Sequence, residues 1–202
     1  MKEVRKLDMQ FRAEDNDNGK MEIKGYAVVF NSPETYWGYT EVIDRHALDE
    51  TDMSDVVLRY NHNDSFMVLA RTRNKSLSLE KDEKGLMIDA TLQDDITDHR
   101  NIFNAIKSGL IDKQSFAFTV DEDEYDYDTD TRTITKIGEL FDVSVVDQPF
   151  YNATDVVAVK DRNDEFMERR KELREQHEKE LEEQKKKDEL EARKQEILAK
   201  LG

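Results

Sequence analysis

Apolar and polar positions alternate in short runs through the first 159 residues of this chain, and then the apolar positions almost vanish. Leu7, Met9 and Phe11 alternate with polar residues, Asn18-Gly19 signals a tight turn, and the alternation resumes from Met21 into Tyr26-Ala27-Val28-Val29-Phe30. That pattern predicts a hairpin. Further strands are predicted over 56–60, 76–80, 86–92, 114–120, 132–137, 141–146 and 154–159, with Gly85 marking a turn between two of them. One segment has helical spacing. Over 98–108, Ile102, Phe103 and Ile106 fall on one face, Thr97 or Asp98 is placed to cap the start, and Gly109 to stop the end. The expected fold is α+β, a mostly antiparallel, barrel-like core with a few flanking helices.

From Lys160 to Leu201 the pattern changes. The segment holds 13 Lys and Arg against 14 Asp and Glu, and no Gly or Pro precedes Gly202. Good helix formers dominate it, and pairs such as Glu183 and Lys187 stand at helical i, i+4 spacing. A long charged helix follows, so the chain divides into a domain over 1–159 and a helical tail over 160–202. Phe166, Leu173, Leu190, Ile197 and Leu201 keep partial heptad spacing, but only Leu181 is apolar between Arg174 and Glu189. The tail therefore reads either as a lone solvated helix or as a coiled-coil-like segment that pairs with a partner.

Composition narrows the function. A formal charge of −16 over 202 residues argues against a nucleic-acid surface, which needs clustered Lys and Arg. There are no cysteines, so neither a thiol nucleophile nor a cysteine metal site exists. No run approaches the roughly 18 apolar residues of a membrane span, and no apolar leader follows Met1-Lys2-Glu3-Val4-Arg5-Lys6, which leads us to expect a soluble intracellular protein. The acidic run from Asp121 to Asp130 lacks the calcium-loop pattern: counted from Asp126, position 6 is Thr131 and position 12 is Ile137. It reads as a solvated hairpin tip. His62, Asp64 and His99 lack metal-ligand spacing, and no metal or cofactor is expected.

Three stretches carry chemistry: Tyr60-Asn61-His62-Asn63-Asp64, Gln114-Ser115-Phe116-Ala117-Phe118, and Leu140-Phe141-Asp142-Val143-Ser144-Val145-Val146. Taken alone, each has a plain structural reading: a strand serine, a loop histidine, a paired strand carboxylate. Together they supply a hydroxyl, a base and a carboxylate to orient the base, the parts of nucleophilic acyl transfer. On a strand, Ser115, Ala117 and Thr119 would form a small face opposite Gln114, Phe116 and Phe118, leaving space for a substrate carbonyl.

With Gly25 to Ser32, Gly38 to Ile43, Leu69-Ala70-Arg71-Thr72, Gly85-Leu86 and the continuation Asp147-Gln148-Pro149, these motifs resemble the prohead proteases of HK97-like tailed phages. The resemblance implies a fold similar to herpesvirus assemblin. It also implies a serine endopeptidase that cleaves scaffold and capsid precursors, and itself, inside the assembling procapsid in the host cytoplasm. Its partners would be the major capsid protein precursor, scaffold segments and further copies of the chain, with neither nucleic acid nor membrane. Carried over by motif, His62 is the base, Ser115 the nucleophile and Asp142 the third member; Arg71 is a candidate for the oxyanion from its charge. The family often has Gly where Ala70 and Ala117 stand, Met where Gln114 stands and Glu where Asp142 stands. The rival expectation is a non-enzymatic scaffold or assembly chaperone, which would need none of the three.

Overall fold

The computed structural model describes residues 2–7, 12–15, 20–36, 38–147 and 156–201, and forms two compact units, Met1–Val156 and Val157–Gly202. The first unit runs β1 (Lys2–Leu7), β2 (Arg12–Asp15), β3 (Met21–Val29), β4 (Glu34–Tyr36), β5 (Tyr39–Ile43) and β6 (Val57–Tyr60). It continues with β7 (Ala70–Arg71), β8 (Leu77–Lys81), β9 (Gly85–Leu92), α1 (Thr97–Lys107), β10 (Lys113–Asp126) and β11 (Thr131–Val146). The second unit is one helix, α2 (Val156–Leu201).

Two sheets form. One follows the order β1-β10-β11-β5-β4, with β6 paired to β11 and to β7; the other is β2-β3-β9-β8. Most pairs are antiparallel, but β5 and β6 both join β11 in parallel. The expected barrel-like core is therefore corrected to two open sheets. Closure would need the edge strands to pair, and among the described residues β1 and β4 end one sheet while β2 and β8 end the other. The apolar alternation of β9 turns Leu86, Ile88, Ala90 and Leu92 inward, where they join Ile23 and Val28 of β3, Phe116 and Phe118 of β10, and Ile102, Phe103 and Ile106 of α1 in one core. Gln114 Nε2 donates to the Tyr26 carbonyl, tying β10 to β3 across the sheets.

Several expectations change in detail. The segments 132–137 and 141–146 are one strand, because the irregularities opposite Phe118 and Val120 bend the ladder without ending it. Gly138 lies there, and a Cβ at that place would run into the Asp121 carboxylate. Ile96, not Thr97 or Asp98, stands at the start of α1 and caps it with no side-chain bond. Gly109 follows the helix with φ +75, a left-handed conformation suited to a stop. The acidic run is mostly strand: β10 continues to Asp126, and only 127–130 turn, with Asp126 accepting from the Asp128 and Thr129 N–H groups. Residues 156–159 are helical, not a strand; helix propagates cooperatively from the charged segment into the valines. The Asn18-Gly19 turn lies outside the described residues, although β2 and β3 pair as its hairpin requires. In α2, Lys186 pairs with Glu182, and Leu181 and Leu190 are exposed.

Candidate active site

β10, β11 and β6 lie side by side, and each contributes one part of the site. Ser115 on β10 is the partner of Ser144 on β11, and Asp142 stands two residues before Ser144, on the same face. In the parallel pairing of β6 with β11, Asp142 lies opposite Val57 and Val145 opposite Tyr60, so the chain leaving β6 passes beside the C-terminal half of β11. The Asn61 N–H extends the ladder to the Val145 carbonyl (3.0 Å).

There the backbone turns sharply. Asn61 and His62 both adopt left-handed conformations, with φ 54 and 52, unusual for residues other than glycine. The turn is held by the Asn63 N–H on the Tyr60 carbonyl (3.0 Å), by the Asp147 N–H on Asn61 Oδ1 (3.2 Å), and by the Tyr60 hydroxyl on Asp147 Oδ2 (2.8 Å). Strain of this kind persists only where the surroundings impose it. Here it turns the imidazole back over the sheet.

His62 Nε2 lies 2.6 Å from Ser115 Oγ, and Nδ1 is hydrogen-bonded to Asp142 Oδ1. With Asp142 ionised, Nδ1 carries the proton and Nε2 is free to accept one. Asp142 is 3 % exposed, so its charge needs partners, and a second donor meets the need: the Ser144 hydroxyl donates to Asp142 Oδ1 at 3.0 Å. Ser144 Oγ in turn accepts from the His62 N–H (3.2 Å) and lies 3.1 Å from Nδ1. Ser144 thus braces both the carboxylate and the loop that carries the imidazole. Sequence reasoning missed it, although its i, i+2 spacing from Asp142 was a usable signal. The expected space beside Ser115 is filled: the residue is fully buried, and its Oγ lies 2.7 Å from the Arg5 carbonyl oxygen on β1.

Other candidates are engaged elsewhere. Arg71 Nε and Nη2 bond to Asp55, which also takes Arg73; the two guanidiniums hold that carboxyl well below the usual carboxylate range. His99 is buried on α1, with Nδ1 accepting from the Gln93 N–H (3.1 Å) and Nε2 bonded to the Val68 carbonyl (3.0 Å), a structural pairing at both nitrogens. No cluster of metal-ligating side chains occurs among the described residues.

Beside β10 lies a buried ion cluster. Arg5 bonds to Glu3 and Glu41; Arg132 bonds to Glu3 (2.9 and 3.0 Å), Glu41 (3.1 Å) and Asp123 (2.7 Å). Burial pushes the Glu3 carboxyl up, but the bonds and charges of Arg132 and Arg5 outweigh it and hold it below its ordinary value. Burial disfavours both guanidinium charges, yet Glu41 with Glu3, around Arg5, and Glu3 with Glu41, around Arg132, raise both groups above their ordinary range.

The arrangement can deprotonate a hydroxyl and stabilise the cation so formed, which is the chemistry of a serine hydrolase. Residues 7–169 match the family described as Caudovirus prohead serine protease. No curated protein matches the chain. Among solved structures, the bacteriophage T4 capsid assembly protease is similar at a TM-score of 0.48 and 10% identity, over 72% of this chain and 96% of that one. No described helix is long and apolar enough to cross a membrane. Since the family match spans well over half of the 202 residues, the chain belongs to the Caudovirus prohead serine protease family and is a serine peptidase.

Proposed function

We propose that Ser115 is the nucleophile of this peptidase, His62 its general base and Asp142 the carboxylate that orients the imidazole. One observation carries the reading: a single imidazole is bonded at Nε2 to Ser115 Oγ and at Nδ1 to a buried carboxylate. Ser115 Oγ attacks the peptide carbonyl carbon as Nε2 takes the hydroxyl proton. The tetrahedral intermediate then collapses, the C–N bond breaks, and Nε2 returns the proton to the leaving amine. Water repeats the sequence and frees the acyl group from Oγ. Asp142 stabilises the imidazolium in both halves. Backbone N–H groups near the site, with Arg71 as a further candidate, would carry the oxyanion; Arg71 would have to act while held by Asp55.

The substrates in this reading are the major capsid protein precursor and scaffold segments of the procapsid assembling in the host cytoplasm, and copies of the chain itself. The charged tail would dock on helical scaffold segments, through heptad positions such as Leu173 and Leu190, and carry the enzyme into the shell. The test is co-expression with the capsid precursor encoded beside it, reading precursor mass. The wild-type chain should truncate the precursor and Ser115→Ala should not; truncation by both would refute the assignment.

A further inference from the structure

Strand register carries the face that bears Ser115 across four strands. Ser115 on β10 stands opposite Ser144 on β11, and Ser144 opposite Arg59 on β6. The row two residues away runs from Ala117 through Asp142 and Val57 to Arg71 on β7. Residues in register share a face. The row between them, Phe116, Val143, Leu58 and Ala70, lies in the core, so Arg59 and Arg71 belong to the side of the sheet that holds Ser115 and Asp142.

The two arginines differ in what they have left to give. Arg71 spends Nε and Nη2 on Asp55. Arg59 is engaged at Nη1 alone, on the Asn63 carbonyl oxygen (3.4 Å) and on Asp64 Oδ1 (3.1 Å); among the described residues, its Nε and Nη2 have no partner. The Nη1 contacts hold the guanidinium against the loop that carries His62. Its side chain is only 21 % exposed, so an open donor edge sits where water is partly excluded. That edge of a guanidinium takes a carboxylate through two parallel bonds, and a lower local dielectric strengthens them.

The chemistry of the cut sets which part of a substrate comes here. In the proposed mechanism Nε2 delivers its proton to the leaving amine, so the segment after the scissile bond departs past the imidazole. From Ser115 the row crosses β11, where the imidazole is bonded to Asp142, and reaches Arg59 after two strand spacings, about 10 Å. An extended peptide covers that distance in about three residues, and the side chain shortens the count. The net charge of −16 favours cationic peptides over the surface as a whole, so a preference for an acid at one position has a local source.

We propose that Arg59 determines specificity in this peptidase: its Nε–Nη2 edge binds the carboxylate of an Asp or Glu at the second or third residue after the cut. This rests on Ser115 being the nucleophile and His62 the base.

The full-length chain is incubated with peptides from a digested bacterial proteome, and the cuts that Ser115→Ala does not make are mapped by mass spectrometry. Asp and Glu should be enriched at the second or third residue after the cut, and Arg59→Glu should enrich Lys and Arg there instead. In a peptide cut by the wild-type chain, the acidic residue is then exchanged for its amide. The wild-type chain should lose at least tenfold in kcat/KM on that exchange, and Arg59→Gln should cut both peptides at equal rates. A gap that survives in Arg59→Gln is the mark of a mere brace for the His62 loop and would overturn the subsite while leaving the triad in place. So would wild-type cuts without acidic enrichment. The absence of any Ser115-dependent cut would overturn the catalytic reading and the subsite with it.

Discussion

Removing the Ser144 hydroxyl tests how far the site depends on bracing behind the proposed triad. Ser144 is fully buried and should touch no substrate; it donates to Asp142 Oδ1 at 3.0 Å and accepts from the His62 N–H at 3.2 Å. Ser144→Ala deletes both contacts with little change of volume. A hydrogen bond to a charged group is worth about 1.5–3 kcal/mol, and about 1.4 kcal/mol is a factor of ten in rate. If most of that energy holds the imidazole and carboxylate in register, precursor cleavage should slow on the order of 10- to 100-fold, with KM unchanged. The hydroxyl is what matters, so Ser144→Thr, whose branched side chain suits a strand, should recover most of the rate. Initial rates of precursor truncation, paired with thermal melts of each variant, are the assay. A rate within twofold of wild type, or a loss as complete as that of Ser115→Ala without rescue by threonine, would refute a positioning role.

Asp142→Asn should keep the geometry yet favour the wrong imidazole tautomer, lowering the cleavage rate on the order of 10⁴-fold; a loss under tenfold would remove Asp142 from the triad. The Glu3 carboxyl is held below its ordinary 4.5 by Arg132 and Arg5 against the effect of burial, so its contribution to stability is full above pH about 4.5 and is lost as pH falls through the lowered folded value. Glu3→Gln should therefore melt below wild type at pH 7, with the gap closing on acidification; a gap that widens in acid would contradict the sign. Deleting 160–202 should leave peptide cleavage intact and abolish recovery of the enzyme in particles; retained packaging would refute tail docking.

The three proposed catalytic residues were legible because each interrupts or borders an apolar run, where a polar side chain needs a reason to be. Ser144 stood in the same run as Asp142 and escaped notice, since a small hydroxyl in a strand signals nothing until its neighbours are known. The strand spans of β6, β8 and β9 followed from alternation. The parallel union of β5 and β6 with β11 did not, because pairing between distant segments leaves no local pattern. The same limit hid β1: Lys2–Leu7 carries only Val4 and Leu7 as apolar residues, and what holds it is the ion cluster with Glu41 and Arg132, 36 and 129 positions along the chain from Arg5 and Glu3. The small neighbours of Ser115 imply open space beside it, and the strand that fills that place comes from the far N-terminus.

The most direct test of the account is to expose the unsubstituted chain to a fluorophosphonate for hours and map the adduct by peptide mass spectrometry. One phosphonyl group is expected on Ser115, and none on Ser115 of His62→Ala. An adduct on another serine, or equal labelling of Ser115 without His62, would contradict it.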